Sequence, residues 1–231
     1  MGMKDMISGS RAYKEMLETI PELRGEFQRM QAFRPRMMPA YQMHFTKKDV
    51  RVPADLEGMK IIADSMWSIV LNGIGAAPVK LPVGDWYMSL ERNLVEGQIV
   101  HFPAIYIYKT LDLLKHHTMF GEGGCAMAAE VLLFNNNSWE KIPPELQLLI
   151  SESLEERFAN HLASDKALID KAIRQGEKEN QVFTRVTPEE MAIWKKAVEP
   201  VHKKWIEDNS KRGPSEEIFN KTVKIIEKYN Q

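Results

Sequence analysis

The apolar and polar positions of the chain alternate between helical and extended patterns. Near the start, Tyr13, Leu17 and Ile20 lie on one apolar stripe at helical spacing, and Ser10 is expected to cap that helix. A longer stripe predicts a helix from Pro144 to about residue 175. Its apolar members are Leu146, Leu149, Ile150, Leu154, Phe158, Leu162 and Leu168. Two more helices are predicted near the C-terminal end. Thr187 opens one through a capping box, and the other starts near residue 214.

Short extended segments separate the helices in the first two thirds of the chain. They are MKIIA, APVKLP, QIVHF and the apolar run Met127 to Phe134. That apolar run is expected to be a largely buried strand. The last predicted strand is QVFTRV, further along the chain. A helix is expected to follow QIVHF, running from Pro103 to about Lys115. Strand–helix–strand units with short links predict an α/β fold with a largely parallel sheet. Ligands of such sheets bind beyond the carboxyl ends of the strands, so a ligand is expected at the end of QIVHF.

Composition excludes several classes of function. The formal net charge is -1, and basic residues are dispersed among acidic ones, so a nucleic-acid partner is not expected. No apolar run approaches the ~20 residues that a membrane-spanning helix requires. The first ten residues, MGMKDMISGS, lack the basic flank and apolar core of a secretory signal. Either the protein is cytoplasmic or its beginning has been lost.

No motif in the sequence supports catalysis, so we expect no enzyme activity, no cofactor and no metal site. The glycines of GEGGC lack the Lys-Ser/Thr pair of a phosphate-binding loop, and a flexible turn is the better interpretation. His116 and His117 are adjacent and would diverge on a helix or a strand. Charge compensation at a helix C-terminus is therefore the simpler role. Cys125 is the single cysteine and is expected to be a small buried side chain.

Four segments, taken in order, resemble the solute-binding subunits of tripartite ATP-independent periplasmic (TRAP) transporters, the DctP or dicarboxylate-binding family. They are VPADLEGMKI, GIGAAPVKLPVGDWYMSLERNLVEGQ, YIYKTLDLLKHHT and EVLLFNNNSWEKIPPELQLLISE. The resemblance implies a periplasmic-binding-protein-like (type II) fold of two lobes, each a mixed sheet flanked by helices. Such a protein closes on an organic acid and passes it to a membrane permease. The resemblance also implies a periplasmic location.

The family's ligand-binding positions are apolar in this chain. Family members keep an arginine at the end of the Lys-Ile strand to bind the ligand's carboxylate, and that position is Ile62. A family asparagine aligns at or near Val100, and a family aromatic residue aligns near Val83. Burying an unpaired carboxylate beside aliphatic side chains is costly, so we expect a more apolar or aromatic ligand. The expected ligand contacts are Gln42, Ile62, Ser65, Trp67, Val83, Val100 and Phe102.

The polar end of the ligand needs a partner. The candidates are Gln42, Ser65, His101 and a basic residue such as Arg34 or Arg36. Trp67 has an alternative role, because a helix residue just past a strand can point into the core instead.

Members of the family are longer than this chain, and the resemblance implies that the missing part is the N-terminal section of lobe one. It also implies a division of this chain into four parts. Residues 1–39 are a remnant of lobe one, 40–124 form the ligand-binding lobe two, 125–165 form the crossing strand and helix of lobe one, and 166–231 form the C-terminal strand and helices. An incomplete lobe exposes a sheet edge and apolar area. We therefore expect truncation or self-association, with a homodimer through the incomplete lobe, rather than a free monomer. The alternative function is a family remnant that acts as a dimerising interaction or sensor module without transport.

Overall fold

The chain folds into alternating helices and strands, and the computed structural model describes residues 2–63 and 65–231, without the side chains of Arg34, Ser65, Met66, Glu155 and Ala159. The strands are β1 Met30–Met37, β2 Tyr41–Phe45, β3 Lys60–Ile62, β4 Ala77–Val79, β5 Gly97–His101, β6 His116–Met119, β7 Ala129–Asn135 and β8 Val182–Arg185. The helices are α1 Met6–Thr19, α2 Pro21–Gly25, α3 Ser65–Gly73, α4 Trp86–Glu91, α5 Phe102–Ile107, α6 Asn136–Trp139, α7 Pro144–Lys178, α8 Pro188–Asn209 and α9 Ser215–Tyr229.

Six of these strands form one mixed sheet in the order β4-β3-β5-β2-β6-β8. β3 is parallel to both β4 and β5, β6 is parallel to β8, and β2 is antiparallel to β5 and β6. β1 and β7 form a separate antiparallel ribbon. The predicted α/β fold with a mixed, largely parallel sheet is therefore confirmed. The four boundaries given to the lobes stay a prediction.

Successive side chains of a strand point to opposite faces of the sheet, and both faces of the six-stranded sheet are covered. One face carries Met43, Phe45 and Ile61 into a core cluster that includes Trp194 of α8. The other face carries Ile62 and Val100 into a second cluster, which helices α5 and α7 cover. The expected ligand contacts on neighbouring strands therefore depend on which face each residue occupies.

Ser10 does not cap the first helix. Asp5 is the N-cap, and its carboxylate accepts a hydrogen bond from the Ser8 backbone N–H at 2.7 Å. Ser10 lies inside α1, where its hydroxyl donates to the Met6 carbonyl and accepts from the Met37 backbone N–H at 2.9 Å. The serine thus joins α1 to β1 instead of starting the helix.

The helix expected from Pro103 to about Lys115 is much shorter than predicted. It ends at Ile107, and Lys109 follows with a positive φ of 62°, a left-handed conformation that is common just after the end of a helix. His116 and His117 therefore lie on β6, and the interpretation that they compensate a helix C-terminus is wrong.

The capping box at Thr187 is confirmed. The Glu190 backbone N–H donates to the Thr187 hydroxyl at 3.3 Å, and the Thr187 backbone N–H donates to the Glu190 carboxylate at 2.8 Å. β7 differs from its prediction as a largely buried strand, because Leu132 and Leu133 are 42% and 38% exposed. In the part of the chain that the structure describes, β7 pairs with β1 alone.

Candidate ligand-binding site

Three strands of the large sheet end along one edge. Ile62 at the end of β3 is in register with Val79 at the end of β4 and with Gln98 of β5. β5 continues past this level to His101 and passes directly into α5. Carboxyl ends of adjacent parallel strands are the usual ligand edge of an α/β sheet. The predicted location at the end of β5 therefore has the expected strand arrangement.

His101 forms the junction between β5 and α5. Its Nδ1 accepts a hydrogen bond from the Ala104 backbone N–H at 3.1 Å, which caps the helix, and Pro103 occupies the first turn. A neutral ring in this position carries its proton on Nε2. Burial lowers the pKa of His101, and the charge of Asp165 offsets only part of that effect. His101 is thus a neutral ring with an Nε2–H donor at the strand end.

Ile62, Val100 and Phe102 meet in one buried cluster beside this edge. Their exposed fractions are 3%, 7% and 2%, so they are packed core residues in this conformation. Trp86 and Tyr106 are partly buried and pack against the same cluster. A ligand would therefore reach the three residues only if neighbouring side chains moved aside.

The rim beside this cluster is aromatic. The ring of Trp86 lies 5.5 Å from the ring of Tyr108 in an edge-to-face arrangement, and its indole N–H donates to the Leu81 carbonyl at 3.1 Å. This hydrogen bond fixes the indole at the end of the segment that follows β4. Aromatic faces in this position suit a planar apolar group.

Arg36 is already bound to two carboxylates. Its Nη1 lies 2.7 Å from Asp165 of α7, and its Nη2 lies 2.9 Å from Glu130 of β7. Only Nε has no hydrogen-bond partner among the described residues, and Arg36 as a whole is buried. The two carboxylates outnumber the guanidinium, so this cluster offers a ligand carboxylate no free positive charge.

Most of the chain matches the model of a known protein family. Residues 38–209 match the model of the DctP family, described as bacterial extracellular solute-binding protein, family 7. The chain belongs to the DctP family. Its members are solute-binding proteins and not enzymes, so the expected class and the expected periplasmic location are confirmed. No helix among the described residues has the length and apolar character needed to cross a membrane.

Known DctP proteins and solved TRAP structures align with most of this chain. The C4-dicarboxylate-binding periplasmic protein DctP of Shewanella loihica is 28% identical over 166 residues, which are 70% of this chain and 47% of that protein. A TRAP solute-binding protein of Rhodoferax ferrireducens, solved with benzoate, superposes with a TM-score of 0.86 at 22% identity. A marine metagenome TRAP protein specific for aromatic acid ligands, solved with metahydroxyphenylacetate, gives 0.87 at 21%. Both superpositions cover 99% of this chain and 72% of the other chain. The chain spans about half the length of the curated relatives it matches.

Two of the predicted ligand contacts, Gln42 and Trp67, interact with other parts of the protein. Both ends of the Gln42 amide are paired, because Nε2 donates to the Gly121 carbonyl and Oε1 accepts from the Phe120 backbone N–H, each at 2.8 Å. Trp67 is buried in the core cluster on the opposite face of the sheet from Ile62. The structure therefore separates Trp67 from the other contacts, and it gives Gln42 the role of fixing the chain after β6.

The remaining predicted positions lie around the strand edge. Val83 is 40% exposed and lies in the short 3-10 turn before Trp86. Ser65 begins α3, but its side chain lies outside the described residues. The side chain of Arg34, a candidate partner for the polar end of the ligand, also lies outside them. A ligand-binding role for all seven DctP positions stays a prediction.

Sequence reasoning did not single out His44, and it gave His117 a different role. His44 and His117 are cross-strand partners on β2 and β6, on the same face as Val100. In an extended YQMHF segment, Gln42 and His44 lie on the same face of the strand. This alternation could have pointed to His44 as a neighbour of the predicted contact Gln42. The pairing with His117 could not be foreseen, because β6 itself was not predicted.

A groove of about 770 Å³ lies apart from the strand edge. Its lining comes from α1, α2, β1 and the segment between α2 and β1, and it includes Leu17, Phe27 and Phe33. Of the predicted contacts whose side chains the structure describes, none lines this groove.

Proposed function

We propose that this protein is the extracytoplasmic solute-binding subunit, or the C-terminal portion of one, of a TRAP-type secondary transporter. Its ligand is a small organic acid with an apolar or aromatic body, which the protein delivers to a membrane permease. The observation that carries the proposal is the joint position of Ile62, Val100 and Phe102 beside the carboxyl ends of β3 and β5. Relatives solved with benzoate and metahydroxyphenylacetate support the aromatic class of ligand.

The apolar side chains at the predicted site favour an aromatic monoacid over a dicarboxylate. A dicarboxylate has a charged group at each end, and burying one of them against Ile62 without a cation is costly. An aromatic monoacid places its ring against the apolar cluster and needs only one polar partner. His101 offers that partner through Nε2–H, because its Nδ1 is already engaged with Ala104.

Isothermal titration of the chain with benzoate, 3-hydroxybenzoate, succinate and malate tests the proposal. We expect binding of the aromatic acids and no measurable binding of the dicarboxylates. His101→Gln keeps a donor of similar length and should retain more affinity than His101→Leu, which has none. Binding of a small dicarboxylate alone would reject the apolar ligand class.

A second candidate function is a dimerising interaction or sensor module without transport. The exposed leucines of β7 favour it, because exposed apolar area at a strand edge promotes association. A chain that associates through this edge and binds none of the acids would support this second function.

A further inference from the structure

A chain of hydrogen bonds crosses the large sheet, and two histidines form its centre. His44 and His117 are 0% and 1% exposed, and their Nδ1 atoms lie 2.8 Å apart. His44 Nε2 lies 3.0 Å from the Val100 carbonyl oxygen, and His117 Nε2 lies 2.8 Å from Gln181 Oε1. Three contacts at hydrogen-bond distance therefore link β5 to the start of β8.

The orientation of the Gln181 amide follows from its other contacts. Its Nε2 donates to the Leu111 carbonyl at 3.0 Å and to the Glu179 carboxylate at 3.1 Å. Both of these partners are acceptors, so the amide nitrogen must face them. The amide oxygen consequently faces His117, which must supply a proton to that contact.

The number of protons decides whether all three contacts can form. The outer Nε2 atoms of both histidines face oxygen acceptors, so each must carry a proton. Two neutral rings hold two protons in total, which leaves two bare Nδ1 atoms facing each other. Facing lone pairs repel, whereas one proton between them makes a third hydrogen bond. The arrangement is complete with three protons, one more than a neutral pair holds.

We propose that His44 and His117 bind one additional proton between their Nδ1 atoms, and that this proton positions Val100 and Phe102 at the proposed ligand site. His44 holds the Val100 carbonyl, and the Phe102 ring lies 4.8 Å from the ring of His44 and 5.6 Å from that of His117. Loss of the proton separates the Nδ1 atoms and moves the rings that contact Phe102. The effect on the ligand rests on the proposed function, whereas the shared proton does not.

The surroundings place the uptake of this proton on the acid side of neutrality. Burial lowers the pKa of His44 and lowers that of His117 to about 4. The charges of His116 and Lys115 lower the pKa of His117 further, while its hydrogen bond to Gln181 raises it. The titratable groups around the pair are His101, Asp165, Lys115, His116, Asp49 and Glu179. α7 faces the pair's cluster with the apolar side chains of Ile169, Ala172 and Ile173.

Histidine-selective ¹⁵N NMR of the 231-residue chain, titrated from pH 7.5 to 3, tests the shared proton. We expect both Nε2 atoms to be protonated throughout and both Nδ1 signals to move together, with a total uptake of one proton. Separate midpoints or an uptake of two protons would overturn the proposal. Two rings that stay neutral until the chain unfolds would also overturn it.

Binding of benzoate over the same pH range tests the effect on the ligand site. We expect the affinity of the unmodified chain to rise by about fivefold on acidification, relative to His117→Phe, which cannot hold the shared proton. Titration of benzoate itself is common to both proteins, so their ratio isolates the histidine pair. His202→Gln, at a histidine of α8, should keep the unmodified profile. Identical profiles for the unmodified chain and His117→Phe would overturn the coupling.

The Val100 methyl signals separate this inference from the proposed function. If the chain binds no aromatic acid at any pH, the proposed ligand class fails. The Val100 methyls should nevertheless titrate with the midpoint of the histidine pair, and they should lose this titration in His117→Phe. Methyl signals that ignore the pair would overturn the positioning role.

Discussion

At the scale of single residues, Arg36 joins three elements through its two ion pairs. Replacing it with methionine leaves Asp165, which is nearly buried, without its cation. We expect Arg36→Met to lower the free energy of unfolding by about 3 kcal/mol, because a buried charge is left uncompensated. Urea unfolding at pH 7 measures the change. Lys204→Met breaks the exposed pair with Asp208 and should cost less than about 0.5 kcal/mol, and equal effects would contradict the account.

The buried histidines make stability depend on pH. The folded chain protonates His117 only near pH 4, whereas the unfolded chain protonates it near pH 6.5. The unfolded state therefore binds more protons between these values. The contribution of His117 to stability should be fully present well above pH 6.5 and should fall by about 3 kcal/mol as the pH drops to 4.

Urea unfolding at several pH values checks this dependence. His117→Phe has no proton to gain at this position, so its unfolding free energy should vary less between pH 6.5 and 4. His161→Gln on α7 serves as the control and should keep the unmodified slope. An unmodified chain whose stability is flat across that range would contradict the account.

The sequence predicted which residues lie near the strand edge better than it predicted what those residues contact. The family resemblance pointed to Ile62 and Val100 as ligand-binding positions, and the structure places both in one cluster with Phe102. Which face a residue occupies, and what already binds it, depends on contacts far along the chain. Trp67 therefore ended in the opposite core, and Gln42 is held by the backbone around Phe120.

At the scale of elements, Gly97 is required where β5 begins. A Cβ atom at this position would lie 2.5 Å from Phe45 Cδ1 and 2.8 Å from the His44 carbonyl oxygen of the neighbouring strand. We expect Gly97→Ala to lower the free energy of unfolding by about 1–3 kcal/mol and to weaken ligand binding, because β5 must shift away from β2.

Gly84→Ala is the matched control for this prediction. A Cβ atom at Gly84 has open space around it, so that substitution should change stability by less than about 0.5 kcal/mol. Thermal and urea unfolding of both variants, with titration of benzoate, measure the difference. A Gly97→Ala chain as stable as Gly84→Ala would show that the strand start tolerates a side chain.

The long helices and most strands followed from local pattern, whereas β6 did not. α7 carries an apolar stripe that predicted its bounds within a few residues, and the capping box at Thr187 predicted the start of α8. The helix after β5 was extended too far, because nothing local shows that Lys109 adopts a positive φ. β6 gains its stability from pairing with β2 and β8, which are distant in sequence.

At the scale of the whole molecule, β7 and α7 expose large apolar side chains. They are Leu132 and Leu133 of β7, and Leu146, Leu148 and Leu149 of α7. We expect the 231-residue chain on its own to bind an apolar dye and to self-associate, because this area is unfavourable in water. Light scattering and dye fluorescence measure both effects.

One substitution among these exposed leucines should reduce the association. Leu148→Glu places a charge on the exposed apolar side of α7 and should lower both dye binding and average mass. Leu94→Glu, at an exposed leucine before β5, should leave both unchanged. A chain that is monomeric and binds no dye would contradict this account of the exposed apolar side chains.

The most direct test of the central claim is methyl NMR of the chain during titration with benzoate. If the ligand binds at the apolar end of β5, the methyl signals of Ile62 and Val100 will shift and will show contacts to the benzoate ring. The methyls of Leu17 and Ala32, in the groove beside α1, will stay unchanged. Shifts confined to that groove, or no shift of Ile62 and Val100 at saturating benzoate, would contradict the claim.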